Sequence, residues 1–127
     1  MKINPNKRRF PRFASKALAY FPGDPKGYPV KNLSWKGLFI KTEKFLHTKE
    51  TLIYFELDLP EIGKIPMYGT IVHFGTPDDP GLGVEIIEID KNLGPVWNLY
   101  IKALSYLREA KEKYDRIISS EELKNRE

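Results

Sequence analysis

Short apolar runs separated by turn residues make up the first ninety positions of the chain. The clearest run is TLIYFELDL (51–59), in which Ile53, Phe55, Leu57 and Leu59 form a wholly apolar parity and Leu52, Tyr54, Glu56 and Asp58 form the other. A period of two with one apolar face is the signature of a half-buried β-strand, and it directs the first set at a core. Residues 28–33, 37–41, 68–74 and 83–89 read as further strands, and ALAYF (17–21) as an apolar run that ends in Pro22-Gly23-Asp24-Pro25. Pro and Gly punctuate the rest, with a break over 60–66 and a loop over 77–81. Short strands with a turn every ~8–12 residues predict a mainly β fold, a small antiparallel barrel or sandwich.

The period changes after Asp90. Val96, Tyr100, Ala103, Leu107, Ala110, Tyr114 and Ile117 alternate at spacings of four and three, one stripe of an α-helix with a heptad-like seam. Asn92 is a candidate N-cap, with Pro95 near the first turn. Trp97, Leu99, Ile101 and Leu104 widen the apolar surface beyond a seam, so residues 95–107 are expected to pack on the barrel. From Arg108 the sequence REAKEKYDR is charged on most faces; this part is expected to project and to fade near Ser119. The expected organisation is an arm over 1–13, a barrel with the start of the helix over 14–107, and a projecting helix end and tail over 108–127. The projecting positions Ala110, Tyr114 and Ile117 either pair with a second copy, giving a homodimer, or form a solvated helix end.

With 127 residues, 41% of them apolar, the chain is long enough for one folded domain with one core. It has no cysteine, which excludes disulfides, thiolate zinc sites and cysteine nucleophiles. MKINPNKRRF has no apolar run behind its charges, and no stretch approaches the ~20 apolar residues of a membrane span. The expectation is a soluble cytoplasmic protein.

The net charge of +4 is unevenly placed. Residues 1–36 hold nine Lys or Arg against Asp24, a net of +8; residues 37–127 hold the other 12 bases and 16 acids, a net of −4. A positive field confined to one end attracts anions such as nucleic acid, anionic lipid or a phosphate-bearing small molecule. Its densest part is KRRFPRF (7–13), where Pro11 disfavours a helix and two phenylalanines stand among the cations.

Catalytic patterns are not evident. The two histidines, His47 and His73, fall on different elements without metal-ligand spacing. Asp78-Asp79 reads as turn chemistry and lacks the spacing of a calcium loop. Gly81-Leu82-Gly83 does not continue into a dinucleotide fingerprint, because position 86 is Ile and a strand follows. Neither an enzyme nor a metal or other cofactor is expected.

Two short segments remain. Arg8 and Arg12 stand four apart in the arm, and Asn32-Leu33-Ser34-Trp35-Lys36-Gly37 lies between two candidate strands, with Gly37 suited to a positive φ or a close backbone approach. In this order and separation they resemble the two-part signature of the PilZ domain family, an R-x-x-x-R arm followed by [D/N]-x-S-x-x-G. Gly83-Val84-Glu85-Ile86 and the helix after Asn92 fit the family as well, so the resemblance covers roughly residues 7–107.

The resemblance implies a PilZ-type antiparallel barrel of about six strands with a C-terminal helix, binding the bacterial second messenger cyclic di-GMP. Carried over, Arg8 and Arg12 would grip guanine and phosphate, with Arg9 as a helper. Asn32 and Ser34 would bond a guanine edge or the ribose-phosphate, and Gly37 would leave room for the base. Lys7 and Trp35 are accessory candidates. Arginine suits this work, since its planar fork meets guanine O6 and N7 or two phosphate oxygens, and it stacks on base faces. The arm is expected to order when ligand arrives, docking Phe10 and Phe13 and changing the surface offered to a protein effector. Two other readings stand beside it: a PilZ-like adaptor that binds no cyclic di-GMP, and a nucleic-acid-binding barrel stacking bases on Phe10, Phe13 and Trp35.

Overall fold

The computed structural model describes residues 10–43 and 51–120. Lys7, Arg8, Arg9 and His47 lie outside the described residues. The elements are β1 (Phe13–Ala14), β2 (Leu18–Tyr20), β3 (Tyr28–Leu33), β4 (Gly37–Lys41), β5 (Leu52–Leu59), β6 (Gly63–Thr76), β7 (Asp79–Ile89) and α1 (Gly94–Ile118). The hydrogen-bonded order β3-β2-β5-β6-β7-β4 returns from β4 to β3, closing a six-stranded antiparallel barrel. β1 is an additional strand on β3. Closure satisfies the backbone groups that an open sheet would leave at its edges.

Strand parity fills the interior as the sequence predicts. Ile53, Phe55, Leu57 and Leu59 are at most 5% exposed, and the register sets Phe55 opposite Met67 and Leu57 opposite Ile65. Leu38 and Ile40 face Val84 and Leu82 across β4 and β7, and Val30, Leu33 and Ile71 complete the core.

Two expected breaks are shorter than the sequence suggests. The break over 60–66 reduces to Pro60–Ile62, because Glu61 takes a φ of 68° and Ile62 N–H donates to Leu59 O at 3.1 Å, turning the chain at once. Pro66 is then accommodated inside β6, whose register with β7 begins only at Met67. The loop over 77–81 reduces to Pro77 and Asp78, and Asp79 N–H donates to Thr76 Oγ1 at 3.1 Å across this tight turn.

The register also shifts once between β3 and β4 and three times between β6 and β7, and two of these shifts bear on the outer wall. In β3 the pairing with β4 slips between Val30 and Asn32; in β6 the pairing with β7 slips between Ile71 and His73. Regular alternation from Val30 and Ile71, both buried, would carry Asn32 and His73 inward. Instead Lys31 and Asn32 both leave the interior, and so do Val72 and His73. A bulge re-aims the side chain that follows it.

The helix forms its own unit from Val96 onward. Asp90 sets its approach, accepting from Asn92 N–H at 2.9 Å through Oδ1 and from Leu93 N–H at 2.9 Å through its carbonyl. Its buried residues are Trp97 and Ile101, one turn apart and one position off the expected seam. Leu107, Tyr114 and Ile117 on that seam are exposed. Lys111 pairs with Asp115 at 2.8 Å, and the helix ends just before Ser119. Among the described residues no helix is long and apolar enough to cross a membrane.

The parity of β5 has a measurable consequence. Phe55 is fully buried and Leu52, on the opposite parity, is 59% exposed. Phe55→Ala is expected to destabilise the fold by about 3–5 kcal/mol and Leu52→Ala by no more than ~0.5 kcal/mol, measured by equilibrium urea unfolding.

Candidate ligand-binding site

The second half of the arm is already part of the fold. Phe13 is buried and pairs opposite Leu33, and Ala14 opposite Asn32, so Arg12 arrives beside the end of β3, one position beyond that pairing. Arg12 Nη1 donates to Asn32 Oδ1 at 2.5 Å, joining residues twenty apart. Of the two arm phenylalanines expected to dock, Phe13 is buried against the barrel and Phe10 is 37% exposed.

Ser34 and Gly37 do different work. Ser34 is 5% exposed, and its hydroxyl closes the Trp35-Lys36 turn, accepting from Gly37 N–H at 3.2 Å and donating to Gly37 O at 3.3 Å. Ser34 N–H also donates to Gly37 O at 2.7 Å, and Ile86 N–H donates to Lys36 O at 2.7 Å, fixing the turn against β7. Gly37 is needed for close approach rather than for a positive φ: a Cβ there would stand 3.0 Å from Val84 O and 3.7 Å from Arg12 Nη2. Trp35, at the tip of the turn, is 36% exposed, and Lys36 is exposed.

Around Arg12 and Asn32 the outer wall forms a recess of about 220 Å³, lined by Arg12, Lys31, Asn32, Leu38, Phe39, His73 and Asp79. Five of these, Lys31, Leu38, Phe39, His73 and Asp79, belong to neither motif. The register explains their meeting, since Asn32 lies opposite Phe39, Phe39 opposite Gly83, and Gly83 opposite His73. The Phe39 and His73 rings stack with centroids 6.1 Å apart, and Lys31 Nζ lies 5.8 Å from the Phe39 centroid. Lys31 also pairs with Asp79 Oδ2, while Lys41 Nζ stands 3.6 Å from Oδ1. The hydrogen bond from Lys31 holds the Asp79 carboxyl below the usual carboxylate range; its partial burial opposes this, and the charges of Lys31 and Lys41 reinforce it.

A larger hollow of about 630 Å³, lined by Lys26, Tyr28, Pro29, Lys41, Thr42, Glu43 and Pro80, contains no motif residue. The described residues hold no group of three or more His, Asp or Glu arranged for a metal ion.

A closed six-stranded antiparallel barrel with an Arg-Asn clasp and a recess on its outer wall belongs to the class of small β-barrels. The family model of the PilZ domain matches residues 6–96, and the chain belongs to this family. PilZ domains are binding and adaptor domains. Solved structures share the fold at low identity. YcgR from Escherichia coli, in complex with c-di-GMP, matches with 14% identity and a TM-score of 0.64 over 87% of this chain and 50% of its own. The Bacillus subtilis inhibitor of motility MotI/DgrA matches with 11% identity and a TM-score of 0.68 over 84% of this chain and 53% of its own. The K. pneumonia MrkH–c-di-GMP complex matches with 18% identity and a TM-score of 0.65 over 86% of this chain and 56% of its own. The chain thus spans about half the length of these proteins. No curated protein matches.

The Lys31–Asp79 pair gives a pH-dependent test. A carboxyl lowered in the folded state adds stability above its unfolded pKa, and that stability is lost as pH falls through the folded value. Side-chain NMR should show Asp79 titrating below 3.8. Lys31→Met should raise that midpoint, with a stability loss at neutral pH that disappears in acid.

Proposed function

We propose that the chain is a cyclic di-GMP receptor that signals by contact with a protein effector. The observation that carries this reading is the clasp from Arg12 to Asn32, which joins the two separated motifs on one outer wall. The YcgR and MrkH structures, both complexes with c-di-GMP, support the same ligand class. A cyclic dinucleotide brings two phosphates and two guanines. Arg12 offers a fork to either, and Arg8 and Arg9 add two more from the arm.

Asn32 orients Arg12 before ligand arrives, reducing the rotamer freedom lost on binding. Ser34 and Gly37 serve the site by holding the turn close to β7, and Lys7 and Trp35 are accessory contributors to ligand binding. The effector recognises the surface that the arm and ligand form together. Its identity and the pathway are matters for partner capture.

Isothermal titration calorimetry with cyclic di-GMP tests the reading. Wild type is expected to bind at micromolar strength or better. Arg12→Ala should lose about 10–100-fold, the worth of a charge-assisted hydrogen bond, and Arg8→Ala/Arg12→Ala should abolish measurable heat. A wild type that gives no binding at high ligand would make the chain a ligand-independent PilZ adaptor.

Hydrogen exchange tests the arm. With ligand bound, the non-proline amides of residues 5–13 should gain protection, while core amides of β5 change little. Unchanged exchange over 5–13 in the bound protein would remove the ordering step and leave the receptor assignment intact.

A further inference from the structure

We propose that the recess beside Arg12 is a guanine-reading pocket in which Asp79 accepts from the base's N1–H and N2–H groups and His73 lies against its face. The inference rests on the cyclic di-GMP reading and adds two residues from outside both motifs.

The first support is the way His73 reaches the recess. Ile65, Met67 and Ile71 on β6 are buried, and continued alternation would send His73 into the core. The bulge between Ile71 and His73 turns it to the outer wall instead. The bulge between Val30 and Asn32 does the same for Asn32. Two separate irregularities thus aim two polar side chains at one recess, a use of bulges typical of functional surfaces.

The second support is the floor. A Cβ on Gly83 would stand 2.1 Å from His73 Cε1, and one on Gly81 would stand 2.5 Å from Phe39 Cε2. Both rings occupy space that only glycine leaves open. They stack at an interplanar angle of 24°, with His73 exposed and Phe39 nearly covered. A base entering the recess therefore meets the imidazole, backed by Phe39, as its π-surface.

The third support is the carboxylate. Asp79 is the one carboxylate among the lining side chains, and the Asn32 carbonyl oxygen is already bonded to Arg12. A carboxylate has about four lone-pair sites. Lys31 occupies one on Oδ2, and Lys41 at 3.6 Å from Oδ1 is outside hydrogen-bond distance, so Asp79 retains capacity to accept. Guanine presents two donors on its Watson–Crick edge; adenine presents an acceptor at N1, which a carboxylate repels. Arg12 complements this choice through guanine O6 and N7. The volume of about 220 Å³ falls below the ~300–1,000 Å³ of clefts that enclose a whole drug-sized ligand, which suits one base of a larger molecule.

The test is calorimetric titration of the full chain with cyclic di-GMP and with its adenine counterpart, cyclic di-AMP, on wild type, Asp79→Asn, His73→Ala and His73→Phe. Wild type is expected to prefer cyclic di-GMP by at least about 100-fold, since a site built to bond a substrate N–H strongly rejects an analogue lacking it. Asp79→Asn should narrow that ratio by at least about tenfold, a change that loss of the Lys31 pair alone would not produce. His73→Ala should weaken cyclic di-GMP about tenfold, and His73→Phe should restore it, as expected for stacking. On wild type, ring-proton NMR signals of His73 should shift upfield on titration with cyclic di-GMP, a readout that needs no variant to fold.

If wild type binds while the base ratio of Asp79→Asn is unchanged, or the His73 signals stay in place, the pocket inference is overturned and the receptor reading stands. If wild type binds no cyclic di-GMP, both fall together.

Discussion

Closure of the barrel at β3 is the constraint on which the rest depends. This strand carries β1 and β2 on one side and β4 on the other. Once it is in place the interior is sealed by Val30, Leu33, Leu38, Ile40, Phe55 and Leu57, and no polar ligand can enter. A binding surface has to be made on the outer wall, from residues whose ordinary alternation is interrupted. The bulge within β3 meets that need at Asn32 while leaving Val30 and Leu33 in the core. Stability and recognition are therefore divided within a single strand, residue by residue.

Glycines determine how closely the wall's pieces approach. Gly37 lets the Ser34–Gly37 turn lie against Val84, and Gly83 lets His73 reach across β7 toward Phe39. In neither place is the backbone left-handed; the absent Cβ is what matters. A methyl group at 83 would meet an imidazole ring, whose side chain can rotate away. At 37 it would meet a main-chain carbonyl, which cannot move without disturbing the pairing of β4 with β7. The turn position is the less forgiving of the two.

Much of this was legible in the sequence, because parity in β5 and the spacing of the two motifs are local signals. Ile53, Phe55, Leu57 and Leu59 fall inside as read, and the two motifs meet through a hydrogen bond from Arg12 to Asn32 that the sequence did not foretell. His73 and Asp79 were not legible as site residues. One reads as a lone histidine and the other as turn chemistry, and each joins the recess only through a register that is a property of four strands together. The overlong break at 60–66 has a similar origin. A proline suggests a break locally, yet Pro66 is tolerated because β7 has ended beside it. The helix shows the limit of a seam argument, since burial centres on Trp97 and Ile101 rather than on Val96 and Tyr100.

Charge and topology reinforce each other at the recess. Among the described residues up to 36, Arg12, Lys16, Lys26, Lys31 and Lys36 stand against Asp24, a net of +4 on the segment that builds β1, β2 and β3 and bears Arg12 and Asn32. The positive field of such an excess favours encounter with any phosphate and selects poorly among phosphate-bearing ligands. Discrimination has to come from a group that an indiscriminate anion would avoid. Asp79 is such a group, brought from β7 into a basic recess and paired there with Lys31, which lowers its carboxyl further below the ordinary range. It raises the cost of admitting an anion that offers no donors in return. On the reading proposed above, a receptor built on cations alone would be faster to fill and easier to fill wrongly, and the carboxylate in its midst would turn attraction into choice.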